Sequence, residues 1–133
     1  MRFYIASSLK NDQQVRDLAA ILKAAGWTHT YDWTVPGPAN AAGAETLRAV
    51  GEEEFAGVKS ADIVIVLTPG GRGTHTELGM AIALEKTVYL CHSDTAFLER
   101  VENTPSFYWL SQVKRIVGGT EDIAREVLRA NGA

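Results

Sequence analysis

Pro69-Gly70-Gly71-Arg72-Gly73 puts three glycines within four positions, directly ahead of a run that reads as a helix from Thr74 to Glu85. Glycines here let the main chain approach a ligand and adopt positive φ. A helix beginning at Thr74 would turn free N–H groups and the positive end of its dipole outward. That combination suits a phosphate or a carboxylate, and Arg72 can add a charge-assisted contact. The plain alternative is a strand-to-helix turn with no ligand, which seldom requires Gly70, Gly71 and Gly73 together. Glu77 is open between two readings: Thr74-His75-Thr76-Glu77 spells a capping box, yet a carboxylate at this place can equally be a nucleophile. In either role the first helical turn favours the ionised form, which is the form that attacks a sugar carbon.

Other candidates gather around this turn. Glu52, Glu53 and Glu54 look like a solvated acidic run, but helical spacing sets Glu54 on the stripe of Leu47, Val50 and Val58. An acid on an apolar stripe either sits at its margin or belongs to a site. Tyr4 lies on a short first strand, near enough to its carboxyl end for the hydroxyl to reach a carboxylate, or else is a buried tyrosine with a local partner. Ser7, Ser8 and Asn11 follow and can contact a sugar or phosphate, or serve as turn residues and caps. Asp32 ends the second strand on the same side. His75 and His92 fall near the same ends and are read as structural or solvent-facing.

The elements that must position these residues alternate strand and helix, the pattern of a parallel sheet covered on both faces. Phe3 to Ala6 reads as the first strand. Asn11 or Asp12 caps a helix carrying Val15, Leu18, Ile21 and Leu22, closed by Gly26. The second strand runs from Trp27 to Trp33, and a loop from Thr34 to Gly43 leads to a helix from Ala44 to Ser60. Asp62 to Thr68 is a β-branched run suited to a central strand. Thr87 to Cys91, a loop over Ser93 to Ser106, Val113 to Val117 and a helix capped by Thr120 with Ile123, Val127 and Leu128 inward complete the order. Right-handed crossovers make this a flavodoxin-like, doubly wound five-stranded sheet of order 2-1-3-4-5. Its switch point lies between strands 1 and 3, beside Ser7, Ser8 and the glycine turn.

The chain has 133 residues, 46% of them hydrophobic and 22% charged, which fits one α/β domain spanning 1–133. A formal charge of -3 with scattered Lys and Arg argues against nucleic acid as a partner. Cys91 is the only cysteine, so no internal disulfide forms and a cytoplasmic location is expected. No signal peptide or membrane-spanning run is evident. No metal or organic cofactor is implied.

Phe3-Tyr4-Ile5-Ala6-Ser7-Ser8, Glu54 eight residues before Asp62, the Asp62 to Val66 strand, and Gly73-Thr74-His75-Thr76-Glu77-Leu78-Gly79-Met80-Ala81 resemble the nucleoside 2-deoxyribosyltransferase family. The resemblance runs from Arg2 to about His92. It implies a flavodoxin-like fold and cleavage of the N-glycosidic bond of a nucleoside or nucleotide, with Glu77 as nucleophile. It further implies that Tyr4 orients that nucleophile and that Glu54, in place of an aspartate, contacts or protonates the base. Gly71 departs from the pattern. Nucleoside-specific members have an acid there and nucleotide-cleaving members a serine, and a glycine beside Arg72 is easier to reconcile with phosphate. Pro69 to Glu77 also matches the P-G-G-x-G-T-x-x-E pattern of cytokinin-activating phosphoribohydrolases over nine residues.

Glu77, Tyr4 and Glu54 are thus the expected catalytic residues, and Ser7, Ser8, Gly70, Gly71, Arg72, Gly73 and Thr74 the expected substrate contacts. The tail, Ala130 to Ala133, has no aromatic-rich terminus of the kind transferases lend to a neighbour, which leaves transfer and hydrolysis both open. A homo-oligomer is expected from the resemblance, with Phe107-Tyr108-Trp109 as aromatic surface for it or as core. The rival reading is a non-catalytic nucleotide-binding or signalling domain on the same fold, with Glu77 a helix cap.

Overall fold

The computed structural model describes residues 1–35 and 43–133. Five parallel strands, β1 (Arg2–Ala6), β2 (Thr28–His29), β3 (Ile63–Leu67), β4 (Thr87–His92) and β5 (Val113–Val117), form one sheet of order β2-β1-β3-β4-β5. This is the expected doubly wound arrangement. Every residue of β3 is buried, as its β-branched sequence requires of a strand covered on both faces. Its register sets Tyr4 of β1 beside Val64, and Leu67 beside Cys91 of β4. Helices α1 (Asp12–Ala24), α2 (Ala44–Ser60), α3 (Arg72–Ala83), a single turn α4 (Ala96–Glu99) and α5 (Thr120–Ala130) complete the order. α1 packs with α5, and α2 packs with α3.

Several boundaries differ from expectation. β2 is two residues long rather than seven. Beyond it the Thr30 amide still donates to the Phe3 carbonyl at 2.9 Å. The buried Trp33 indole N–H then donates to the Ile5 carbonyl at 2.7 Å, so a side chain takes over from the ladder along β1. The 93–106 segment is not plain loop: it holds α4 and a 3₁₀ turn at Val101–Asn103, and a second turn follows at Ser106–Trp109. The cap of α5 is Gly119 rather than Thr120, with the Asp122 carboxylate accepting its N–H at 3.0 Å. A 3₁₀ turn, Leu9–Asn11, precedes α1, whose Val15, Leu18 and Leu22 are buried while Ile21 is half-buried. Gly26 ends α1 at φ +91, a left-handed position that glycine suits. The expected loop from Thr34 to Gly43 lies, at 36–42, outside the described residues.

α2 keeps its expected bounds, but its apolar stripe does not all face the core. Leu47 is exposed and Val50 half-buried, while Gly57 and Val58 are buried at the far end. Gly57 is the point of closest approach: a Cβ there would lie 2.9 Å from Tyr31 Cβ and 3.0 Å from the Tyr4 ring. The Gly57 carbonyl accepts the Thr30 hydroxyl at 2.7 Å, tying α2 to the end of β2. Glycine therefore lets α2 settle onto β1 and sets where Glu54, one turn earlier, arrives. Gly57→Ala is expected to lower stability by about 1–3 kcal/mol through overpacking. Urea unfolding checks this, and an unchanged midpoint would contradict the close contact.

Candidate active site

Buried residues Thr74, Glu77, Leu78 and Ala81 recur along α3 at spacings of three and four, so Glu77 lies on the face turned to the sheet. Among the described residues it is the buried side chain that carries an acid, at 6% exposure. The Tyr4 hydroxyl, from the buried stretch Phe3–Ala6 of β1, donates a hydrogen bond to Glu77 Oε2. Glu54 Oε2, from α2, stands 3.5 Å from the same hydroxyl, so the two carboxyl groups meet at Tyr4. Three elements distant in sequence thus converge on one carboxyl group.

Burial pushes the Glu77 carboxyl well above the ordinary glutamate range. Glu54 adds to the rise, and the Tyr4 hydrogen bond opposes it. Burial also pushes the Tyr4 phenol up, and the neighbouring acids reinforce this, so Tyr4 is a neutral donor. Glu77 therefore keeps its proton over a range where exposed glutamates have lost theirs. This corrects the expectation of a carboxylate ionised by the helix dipole. The helix starts at Arg72 with Gly71 as its cap, so Glu77 falls in the second turn and is no capping residue. Thr74 does the capping, its Oγ1 accepting the Gly71 N–H at 3.1 Å.

The glycine turn also differs in its reasons. None of Gly70, Gly71 and Gly73 has a positive φ. A Cβ on Gly70 would lie 2.4 Å from Thr74 Cγ2, so this glycine makes room for the capping threonine. Gly71 and Gly73 face open space, where a side chain would meet nothing within 4 Å. The Gly71 N–H is taken by Thr74, which leaves the Arg72, Gly73 and Thr74 amides as the free donors of the first turn. Arg72 is exposed and makes no ion pair among the described residues.

Of the remaining expected contacts, Ser7 directs its hydroxyl to the Leu67 carbonyl at 2.9 Å and accepts from Asn11, clamping the ends of β1 and β3 together. Ser8 is half-buried beside it. Asp32 accepts from the Thr34 amide at 3.0 Å and from its hydroxyl, an Asx turn. Phe107 is exposed, Tyr108 buried and Trp109 half-buried against the core, so of the three aromatics Phe107 alone is open surface. No group of three or more His, Cys, Asp or Glu residues among the described ones is arranged to hold a metal ion. No helix among them is long and apolar enough to cross a membrane. Residue-by-residue reading missed Gly57. Its signal is a glycine inside an otherwise helical run, three positions after Glu54.

A flavodoxin-like sheet with a buried carboxyl, a second acid close by and a glycine turn at its switch point defines a class of small-molecule enzyme. The chain belongs to the nucleoside 2-deoxyribosyltransferase family, whose model matches residues 3–119. That family cleaves or transfers at the N-glycosidic bond of nucleosides or nucleotides. Among solved structures the chain is similar to the CMP N-glycosidase BcmB of Clostridium botulinum. The identity is 20% and the TM-score 0.64, over 96% of this chain and 98% of that one, which is a likeness of fold. No curated protein matches.

The raised Glu77 carboxyl has a consequence for stability. Between the ordinary range, near about 4.3, and its higher folded value, the native state holds more protons than the unfolded chain. Stability from this group therefore falls as pH rises through that window and returns as pH falls back to the ordinary range. Glu77→Gln is expected to melt above wild type at pH 8, with the difference shrinking toward pH 4. Melting curves across pH check this, and a variant less stable than wild type at pH 8 would contradict it.

Proposed function

We propose that this chain cleaves the N-glycosidic bond of a nucleoside 5'-monophosphate, with Glu77 as nucleophile, Glu54 as acid and base, and Tyr4 orienting Glu77. The observation that carries the reading is the convergence of the Tyr4 hydroxyl and the Glu54 carboxyl on the buried Glu77 carboxyl. In the reactive form of this mechanism the proton resides on Glu54 and Glu77 is ionised. A Glu77 oxygen attacks the anomeric carbon. The carbon–nitrogen bond breaks, its electron pair goes to the base, and the Glu54 proton follows it. Water then attacks the glycosyl ester, giving its proton to Glu54, and the sugar is released with retained configuration. A second base in place of that water makes the reaction a transfer.

The monophosphate is favoured by the turn. The free amides of Arg72, Gly73 and Thr74, the open faces of Gly71 and Gly73 and the unpaired Arg72 suit a dianion better than a hydroxyl. Gly71 is six residues before Glu77, about 9 Å along the helix axis. The Glu77 side chain leans back toward the N-terminus, so one helix can address both ends of a ribose 5-phosphate. Ser7, Ser8 and Gly70 complete the substrate contacts of this reading. The solved structure of similar fold is described as a CMP N-glycosidase, in line with a nucleotide substrate. A homo-oligomer belongs to the same reading, with exposed Phe107 as surface for it.

Chromatography of nucleosides and their 5'-monophosphates, with and without an acceptor base, tests the proposal. Free base from a monophosphate is expected, and base exchange would mean transfer. Glu77→Gln is expected to reduce kcat by about 10⁴-fold or more, and Glu54→Gln by about 10²–10⁴-fold. The raised Glu77 carboxyl also sets the pH profile: kcat/KM is expected to stay high above the ordinary glutamate range and to fall only as pH rises through the raised Glu77 value, where the proton the reaction uses is lost. Full turnover by Glu77→Gln would refute the mechanism. A nucleotide that raises Tm without being cleaved would identify a binding domain instead.

A further inference from the structure

His75 follows the capping Thr74 and faces away from Glu77, yet it is joined to the glycine turn. Its Nδ1 lies 2.8 Å from the Gly71 carbonyl oxygen and its Nε2 lies 2.7 Å from the Tyr108 hydroxyl. A carbonyl only accepts, so Nδ1 carries the hydrogen. In the neutral ring Nε2 then accepts from the Tyr108 O–H. The two rings lie nearly parallel, 5.7 Å between centroids at 7°. Tyr108 is itself buried, and its carbonyl accepts from Arg115, whose guanidinium covers the Trp109 ring at 4.8 Å. A relay of side chains therefore runs from β5 through the 106–109 turn to the cap of α3.

The Gly71 carbonyl and the Arg72 N–H belong to one planar trans peptide and point in opposite directions. Holding the carbonyl therefore aims the amide. The backbone N–H of His75 reaches the same oxygen at 3.2 Å, so the ring supplies a second, shorter bond to it. With Thr74 holding the Gly71 N–H from the other side, both peptide planes around Gly71 are held, in a residue otherwise free to rotate.

We propose that His75 and Tyr108 are positioning residues that aim the first-turn amides of α3 at a phosphate group, so that the pair sets preference for phosphorylated over unphosphorylated substrate. The inference rests on the N-glycosidic reading above and extends it to two residues outside the cleft.

Steady-state kinetics of wild type, His75→Ala, His75→Asn and Tyr108→Phe on a nucleoside monophosphate and on the matching nucleoside test it, with inorganic phosphate as inhibitor. Tyr108→Phe and His75→Ala are expected to raise KM for the monophosphate and Ki for inorganic phosphate together, each by about 3- to 10-fold for one lost hydrogen bond. kcat and the nucleoside KM stay unchanged. His75→Asn, which keeps an N–H donor at the place of Nδ1, is expected to restore most of the phosphate affinity. Equal losses on both substrates, or a lowered Tm with an unchanged KM ratio, would overturn the positioning role while leaving the proposed function standing. A wild type that cleaves nucleosides but not monophosphates would also overturn it, and one that cleaves neither would overturn both.

Discussion

A carboxyl group held in the protein interior against a tyrosine hydroxyl is the constraint around which this molecule is arranged. Glu77 has almost no contact with solvent, and its hydration is replaced by Tyr4 and Glu54. Such a replacement is incomplete for an ion, so the group keeps its proton where an exposed glutamate would have released it. The protein carries this unfavourable burial beside the buried stretches Phe3–Ala6 of β1 and Ile63–Leu67 of β3. Strain of that kind is tolerated at sites of chemistry because a group shifted toward neutral pH exchanges protons most readily there.

The elements serve that arrangement in separable ways. β1 supplies the hydroxyl and cannot move, since its residues Phe3 to Ala6 are fully buried and paired to β3. α3 presents the acid on its inner face and its free amides at its start, so one rigid rod spaces the two. α2 brings the second acid, and it can do so because Gly57 allows its backbone to lie against Tyr4 and Tyr31. Gly70 performs a similar service for Thr74. Steric room at two glycines, rather than flexible backbone, is what lets the site close up.

The far side of the sheet edge takes part as well. Tyr108, in a turn that precedes β5, reaches back to His75 and through it to Gly71. β5 also carries Arg115, which fastens the Tyr108 backbone. The first turn of α3 is thus gripped from both of its sides, by Thr74 within the helix and by residues more than thirty positions away. Main-chain donors recognise an anion well only when their directions are fixed in advance, which is the physical sense of such bracing.

The order of strands, the central β3 and the bounds of α2 were all legible in the sequence. Periodicity, β-branched runs and the handedness of crossovers are local or topological rules that need no coordinates. Tyr4, Glu54 and Glu77 could be named for the same reason, by spacing and by resemblance. Other features were decided by tertiary structure alone. The words Thr74-His75-Thr76-Glu77 fit a capping box, but the helix begins two residues earlier, which turns Glu77 into the core and reverses the expected direction of its proton affinity. The long second strand gave way because the Trp33 indole could satisfy β1 from a distance. His75 and Tyr108 were invisible as a pair, since nothing in either stretch of chain specifies the other. Burial and long-range hydrogen bonds depend on which surfaces meet, and that is settled only when the whole chain has packed.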